Sequence, residues 1–93
     1  MKEIIRVIKK LLGIYECGYE YWVYTDDIKV PLRYKQSKIG SAKWNRKTNY
    51  YLRTGEFESP IILDKNFHLV DGFSSVKIAH IKGMDKVPVY FVD

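Results

Sequence analysis

The chain has 93 residues, of which 46% are hydrophobic and 15% aromatic, and its formal net charge is +5. This length provides one domain with a modest core, and the composition excludes a disordered or low-complexity chain. The single cysteine, Cys17, excludes an internal disulfide and a cysteine-based metal site. The sequence has no apolar run of membrane-spanning length, and because charges occur throughout the first residues we expect no signal peptide. We therefore expect a cytoplasmic protein without membrane contact.

Residues 3–12 have the pattern of an amphipathic helix that ends at Gly13. Apolar residues recur there at the spacing of one helical face: Ile4, Val7, Ile8 and Leu11. We predict that this helix packs on the sheet of the domain. A membrane surface or a dimer contact would be the alternative use of such a face. Residues 20–24 and 28–30 are then predicted to form two short strands, because they are rich in aromatic and β-branched side chains.

Residues 28–55 contain no acidic residue, although half of the sixteen basic residues lie there. A helix is predicted over residues 41–54, which a glycine follows. The residues at the helical spacing of its apolar stripe are Trp44, Thr48, Tyr51 and Leu52. Its cations are expected to project away from that apolar stripe. Such a segment is either a solvated face or a site for the phosphates of nucleic acid. The candidate nucleic-acid contacts are Arg33, Lys35, Lys38, Lys43, Arg46, Lys47 and Arg53.

The last third predicts a strand, a second strand, a helix and a closing strand. Apolar runs at residues 60–63 and 67–70 flank a turn at hairpin spacing. A helix is predicted over residues 74–82, with Ser74 and Ser75 as its candidate N-cap residues, and residues 87–92 form the last strand. The turn before the helix contains a glycine, so backbone N–H groups at the helix start are available to an anion.

The residues from 69 to 75, Leu-Val-Asp-Gly-Phe-Ser-Ser, are followed by Ala79, Gly83 and a Val-Pro-Val strand. In this order the chain resembles the ParB/sulfiredoxin-like superfamily, from about residue 27 to residue 92 and most specifically after residue 60. The resemblance implies one α+β domain over residues 1–93, with a small mixed β-sheet, about three helices and the N-terminal helix as an addition. It also implies that the Ile-Lys-Val-Pro stretch at residues 28–31 opens the fold.

The functional turn differs from that of the relatives. Sulfiredoxins have Gly-Cys-His-Arg there and ParB proteins Gly-Glu-Arg-Arg, so the thiol, the His and the phosphate-binding Arg are missing. The chain is therefore not expected to be a sulfiredoxin, and whether it is an enzyme stays open. The predicted phosphate-binding residues are Gly72, Phe73, Ser74, Ser75 and Lys77. Asp71 is predicted either to cap the helix or to hold a Mg²⁺ ion on the phosphate.

The resemblance and the basic segment together imply a ParB-like, phosphate-recognising module that binds DNA or a nucleotide. Two alternatives stay open at this point. One is a nuclease or nucleotide hydrolase of the same fold. The other is a phage- or plasmid-encoded factor, carried by a mobile element, that binds or inhibits a protein partner and uses the fold only as a scaffold.

Overall fold

A computed structural model describes residues 4, 5, 8, 11–36 and 39–92. Beyond the helical residues 4, 5, 8 and 11, this part of the chain forms, in order, β1 (Tyr21–Tyr24), α1 (Leu32–Gln36), α2 (Ser41–Thr54), β2 (Ile61–Asp64), β3 (Leu69–Asp71), α3 (Phe73–Ile81) and β4 (Lys86–Val92). The prediction of an α+β fold with a small mixed sheet is confirmed, and α2 has the predicted bounds. Within these ranges no helix is long and apolar enough to span a membrane.

The four strands form one sheet in the order β1-β4-β2-β3. β4 pairs antiparallel with β1 and parallel with β2, while β2 and β3 form an antiparallel hairpin. Because β2 and β4 are parallel, the chain must cross over between them, and α3 lies on that connection. The resulting order of hairpin, helix and closing strand is the one that the sequence predicts.

The core lies between one face of the sheet and α3. Val87 and Val89 of β4 have no exposed surface, and they pack in one cluster with Val76 and Ala79 of α3. Alternate residues of a strand point to opposite faces of the sheet, so the other face of β4 does not contribute to this cluster. The helix covers only one side of the sheet.

An aromatic cluster closes one end of the core. The Tyr15 ring stacks on Phe91 with 4.3 Å between the ring centroids, and it meets Tyr21 edge to face at 5.2 Å. Tyr15 therefore anchors the chain before β1 to the helix-covered face of the sheet. Such aromatic pairs contribute about 0.5–1.5 kcal/mol each beyond their buried area.

The N-terminal helical segment, residues 4, 5, 8 and 11, does not pack on the sheet. The side chains of Ile4, Ile8 and Leu11 are 62, 51 and 81% exposed, so the prediction of a packed helix is wrong for the described residues. The physical reason is that Tyr15 already fills the apolar site at this end of the sheet. The other residues of the predicted 3–12 helix lie outside the described part.

The predicted strand at residues 28–30 is also wrong. Lys29 makes a single isolated parallel bridge with His68, and a proline at residue 31 prevents a longer ladder. That proline instead precedes α1, a helix that the sequence analysis did not predict. The N–H of Tyr34 donates to the Pro31 carbonyl, and the Tyr34 hydroxyl donates to the carbonyl of Val70 at 2.5 Å, which joins α1 to β3.

The turn between β3 and α3 lies directly on the beginning of β2. Gly72 is buried, with φ at +91°, and a Cβ atom at this position would lie 2.4 Å from the Pro60 carbonyl oxygen and 2.8 Å from the Ile61 Cα. Both neighbouring atoms belong to backbone and cannot move aside as a flexible side chain would. Only glycine satisfies the left-handed conformation and the close approach together.

We expect the Gly72→Ala substitution to lower the free energy of unfolding by roughly 3 kcal/mol or more, because strain and steric overlap add. Gly83→Ala is the matched control, since Gly83 has φ at +68° but no atom within 4 Å of its Cβ position. The control should lose only about 1–2 kcal/mol. Urea denaturation followed by circular dichroism measures both, and equal losses in the two variants would contradict the close approach.

Candidate phosphate-binding cleft

Helix α3 begins with backbone N–H groups that have no hydrogen-bond acceptor in the described part of the chain. Gly72 is its N-cap residue and no side chain caps it, so the prediction of Ser74 or Ser75 as N-cap is wrong. The left-handed backbone at residue 72 starts the helix earlier and places both serines inside its first turn. In the described ranges, the N–H groups of Phe73 and Ser74 have no hydrogen-bond acceptor, as is usual for a helix start. Together with the helix dipole, they attract negative charge.

A cleft of about 210 Å³ opens between this helix start and α2. It is lined by Tyr34, Ile39, Gly40, Lys43, Lys47, Ser59, Asp71, Gly72, Phe73 and Ser74. The structure therefore brings three of the predicted phosphate-binding residues and the predicted metal residue together with two of the predicted nucleic-acid lysines. Residues from two separate predictions therefore line one cleft.

Lys47 is the buried cation of this cleft, with only 8% of its surface exposed. Its Nζ donates to the hydroxyl of Ser59, and the Ser75 hydroxyl donates to the Ser59 carbonyl at 2.6 Å. The prediction that Lys47 projects away from the buried side of α2 is therefore wrong. The hydrogen bond to Ser59 gives the ammonium group a partner and so reduces the free-energy cost of burying its charge.

The pKa of Lys47 is lowered from its ordinary value. Burial is the largest cause, and the positive charges of Lys43 and Arg46 act in the same direction. The carboxylates of Glu58 and Asp71 partly oppose this effect. A bound anion would add negative charge beside the ammonium and would favour its protonated form.

Asp71 lies at the mouth of the cleft and is exposed. Its carboxylate accepts the N–H of Gly72 at 2.8 Å and does not cap the free N–H groups of α3. In the described part of the chain no three His, Cys, Asp or Glu side chains form a metal-binding group. Asp71 therefore offers a single carboxylate, and a Mg²⁺ ion at this position would need phosphate oxygens and water as its remaining ligands.

Ser74 supplies a second polar group without a partner. The residue is 5% exposed and lines the cleft, and its hydroxyl makes no hydrogen bond with the described residues. The Ser74 hydroxyl is therefore available to a ligand in the cleft. The Ser75 hydroxyl, by contrast, is occupied by Ser59.

The other predicted cations of α2 and α3 lie outside the cleft. Arg46 forms a surface ion pair with Glu58 at 3.1 Å, and Lys77 lies over the Trp44 ring at 5.5 Å. Arg53, in the last turn of α2, lies 5.7 Å from the centroid of a tyrosine ring. The structure does not bring Lys77 to the helix start with which the sequence analysis grouped it.

Of the predicted cations before α2, Arg33 is the one whose side chain the structure describes, and it does not line the cleft. Arg33 stacks over the Tyr34 ring at 5.0 Å, and Lys35 lies on α1. Lys38 lies outside the described residues. Their role as nucleic-acid contacts stays a prediction.

Sequence reasoning missed two residues that build the cleft. Ser59, which lies in a polar connection and carries no local signal, accepts hydrogen bonds from both α2 and α3. Tyr34 stacks on Phe73 with a centroid distance of 5.5 Å and forms a wall of the cleft. Both depend on contacts between residues distant in sequence, which periodicity does not reveal.

Comparison with known proteins identifies the fold. A pNOB8-like ParB-N domain superposes with a TM-score of 0.67 and 20% identity over 81% of this chain and 30% of its own. A second pNOB8-like ParB N-domain structure superposes with a TM-score of 0.63 and 21% identity, over 81% of this chain and 28% of its own. The third solved structure is the C-terminally truncated chromosome-partitioning protein ParB from Caulobacter crescentus, complexed with CTP-γ-S. It superposes with a TM-score of 0.62 and 13% identity, over 82% of this chain and 45% of its own.

These superpositions show that the chain has a ParB N-terminal-like fold, as the sequence resemblance implies. The chain spans less than half the length of each of the three solved chains. Neither a family model nor a curated protein matches the sequence.

The lowered pKa of Lys47 predicts a pH-dependent stability. As pH rises from the folded-state pKa of Lys47 towards 10.5, the unfolded chain holds a proton that the folded chain has lost. The free energy of unfolding should therefore rise with pH in this window. Lys47→Met removes that rise, so the wild type should gain stability relative to the variant as pH increases.

Urea denaturation at a series of pH values measures this difference, with Lys82→Met as the reference for removing an exposed lysine. Parallel stability curves for the wild type and Lys47→Met would show that burial does not affect Lys47 in the way inferred.

Proposed function

We propose that the chain is a ParB-like module that recognises the phosphate groups of a nucleotide in the cleft between α2 and α3. One observation supports this above all others. The free N–H groups of Phe73 and Ser74 meet Lys43 and Lys47 in a single cleft. Backbone donors at a helix start and nearby lysines are the two groups that proteins use to bind phosphate.

The size of the cleft favours the phosphate groups as the part that is enclosed. Its volume of about 210 Å³ is smaller than the pockets that take whole drug-sized ligands, which run from roughly 300 to 1,000 Å³. Sugar and base would therefore extend beyond the mouth. The ParB from Caulobacter crescentus, a solved chain of the same fold, is complexed with CTP-γ-S, which supports a nucleotide as the ligand class.

Asp71 makes a divalent cation part of this proposal. A carboxylate at the mouth repels a phosphate unless a cation lies between them. Mg²⁺ commonly binds through one or two carboxylates together with substrate phosphates, and this matches a single exposed Asp71 beside the free donors. Any nucleotide binding is therefore expected to require Mg²⁺ and to be weaker than micromolar, since the Arg of the relatives is missing.

DNA is a less favoured ligand than a nucleotide because the basic face of α2 is smaller than its sequence implies. Lys47 is buried, and Arg46 is paired with Glu58. Lys43 and Arg53 remain as exposed cations on this helix, more than two turns apart. Two phosphate contacts would give a slope of only about −1.8 for log K against log salt on duplex DNA.

Titration calorimetry with CTP and ATP, with and without Mg²⁺, tests the proposal. We expect weak binding that requires Mg²⁺. Lys43→Gln should reduce the affinity roughly tenfold, because one charge-assisted hydrogen bond is lost. Lys82→Gln, at the distant end of α3, is the matched control and should bind as the wild type does.

Two results would contradict the proposal. Equal affinity in Lys43→Gln and Lys82→Gln would place the ligand outside this cleft, and absence of binding at millimolar nucleotide would leave the fold as a scaffold for a protein partner. Turnover of the nucleotide during the titration would instead support the hydrolase alternative.

A further inference from the structure

The face of the sheet opposite α3 carries a continuous apolar surface, here named the aromatic face. Its members are Trp22, Tyr24, Ile62, Pro88 and Tyr90, which the strand registers place side by side. Trp22 and Tyr24 are 53 and 56% exposed. Lys86 lies over the Tyr24 ring at 4.8 Å, but α3 does not cover this side. Contiguous exposed apolar patches of this kind usually mark an interaction site.

The chain carries a second uncovered apolar surface on its N-terminal helical segment. Ile4, Ile5, Ile8 and Leu11, together with the adjoining Leu12, are all at least half exposed. In an amphipathic helix such a stripe normally packs on another element. One chain therefore presents both an apolar helix and an apolar sheet face.

The segment cannot reach the aromatic face of its own chain while Tyr15 stays in place. Tyr15 is anchored by Phe91 and Tyr21 on the α3-covered face, which is the opposite side of the sheet. Only three residue steps separate Leu12 from Tyr15, a span of about 10 Å at most. A helix on the aromatic face would itself lie roughly 10 Å from the sheet, with Tyr15 on the other side.

We propose that the aromatic face receives the N-terminal helical segment of a second copy of this chain. A reciprocal exchange covers both apolar surfaces of both copies and closes with two-fold symmetry. The ten apolar side chains in each copy, at about 50–100 Å² apiece, would bury roughly 1,000–2,000 Å² in total. This area approaches or reaches the range of specific, stable interfaces, about 1,200–2,000 Å².

A cavity beside the aromatic face provides a place for a side chain of the incoming helix. It measures about 200 Å³ and is lined mainly by apolar residues, among them Trp22, Tyr51, Phe57, Met84 and Pro88. The Tyr51 and Phe57 rings stack at 5.3 Å and form one wall. A leucine or isoleucine side chain fits a hole of this size and chemistry.

Charge favours this arrangement over direct pairing of two N-terminal helices. Residues 1–12 contain four basic residues and one acidic residue, so two such segments repel each other. Asp64 lies on the same side of the sheet as the aromatic face, and Glu20 accepts from the Tyr90 hydroxyl at 3.5 Å. The net positive charge of residues 1–12 would therefore meet two carboxylates at this face, although Lys86 adds one positive charge to the same side of the sheet. An anionic membrane would attract the helix too, but it would leave the aromatic face uncovered.

Light scattering after size exclusion measures the mass of the chain over a concentration series. A reducing buffer prevents disulfide formation through the exposed Cys17. We expect a concentration-dependent dimer. Leu11→Glu and Trp22→Glu should each weaken it tenfold or more, because each places a charge at the buried centre of the interface. Leu52→Glu changes a leucine on α2 that is 61% exposed and lies outside both surfaces, and it should leave the dimer unchanged.

Mixing the two variants separates helix exchange from other contacts. The helix of Trp22→Glu and the aromatic face of Leu11→Glu are both intact, so the mixture should form a heterodimer with one of its two interfaces restored. A wild type that stays monomeric, a dimer insensitive to Trp22→Glu, or no recovery on mixing would each overturn the proposal. Binding to anionic vesicles that Leu11→Glu abolishes, with no dimer in solution, would assign the helix to a membrane instead. Circular dichroism confirms that each variant is folded.

Discussion

The backbone contact between Gly72 and the start of β2 is the constraint on which the cleft depends. Because residue 72 has no side chain, the turn before α3 rests directly on Pro60 and Ile61. That contact holds Ser59 where the Ser75 hydroxyl reaches its carbonyl and the Lys47 ammonium reaches its hydroxyl. Helices α2 and α3 are thus both hydrogen-bonded to the serine that precedes β2. A turn that stood further from β2 would separate the free N–H groups of α3 from the lysines of α2.

Lys47 is an energetically costly residue for a small domain. Its charge is desolvated, and Lys43 adds repulsion. An apolar side chain of similar length would avoid both costs, since buried charges often contribute less to stability than well-packed apolar groups. The position of this charge suits it to bind an anion, because Lys47 lines the same cleft as the unpaired N–H groups of α3. A titratable group perturbed by burial and by specific charges is a recognised feature of functional sites.

The sequence predicts elements with local signals and misses features that depend on packing. The bounds of α2 follow from its helical spacing and from the left-handed Gly55 at its end, whose N–H donates to the Tyr51 carbonyl. The side that α3 presents to the core could not be predicted, because apolar residues occur around most of its circumference. For this reason the sequence analysis grouped Lys77 with the helix start, whereas in the structure Lys77 lies over the Trp44 ring. The inward orientation of Lys47 likewise depends on Ser59, twelve residues away.

The way in which this cleft departs from the ParB-like pattern affects how a ligand would act on the domain. In the relatives that the sequence resembles, the phosphate-binding Arg lies on the same turn as the backbone donors. Here the donors belong to α3 and the lysines to α2, so a phosphate bound as proposed would bridge two helices. Anything that binds the folded state alone stabilises it, and a bridging ligand stabilises most the contact that it spans. Phosphate binding would therefore be coupled to the packing of α2 against α3. A variant that loosens α2 without altering any lysine would be expected to lose affinity as well as stability.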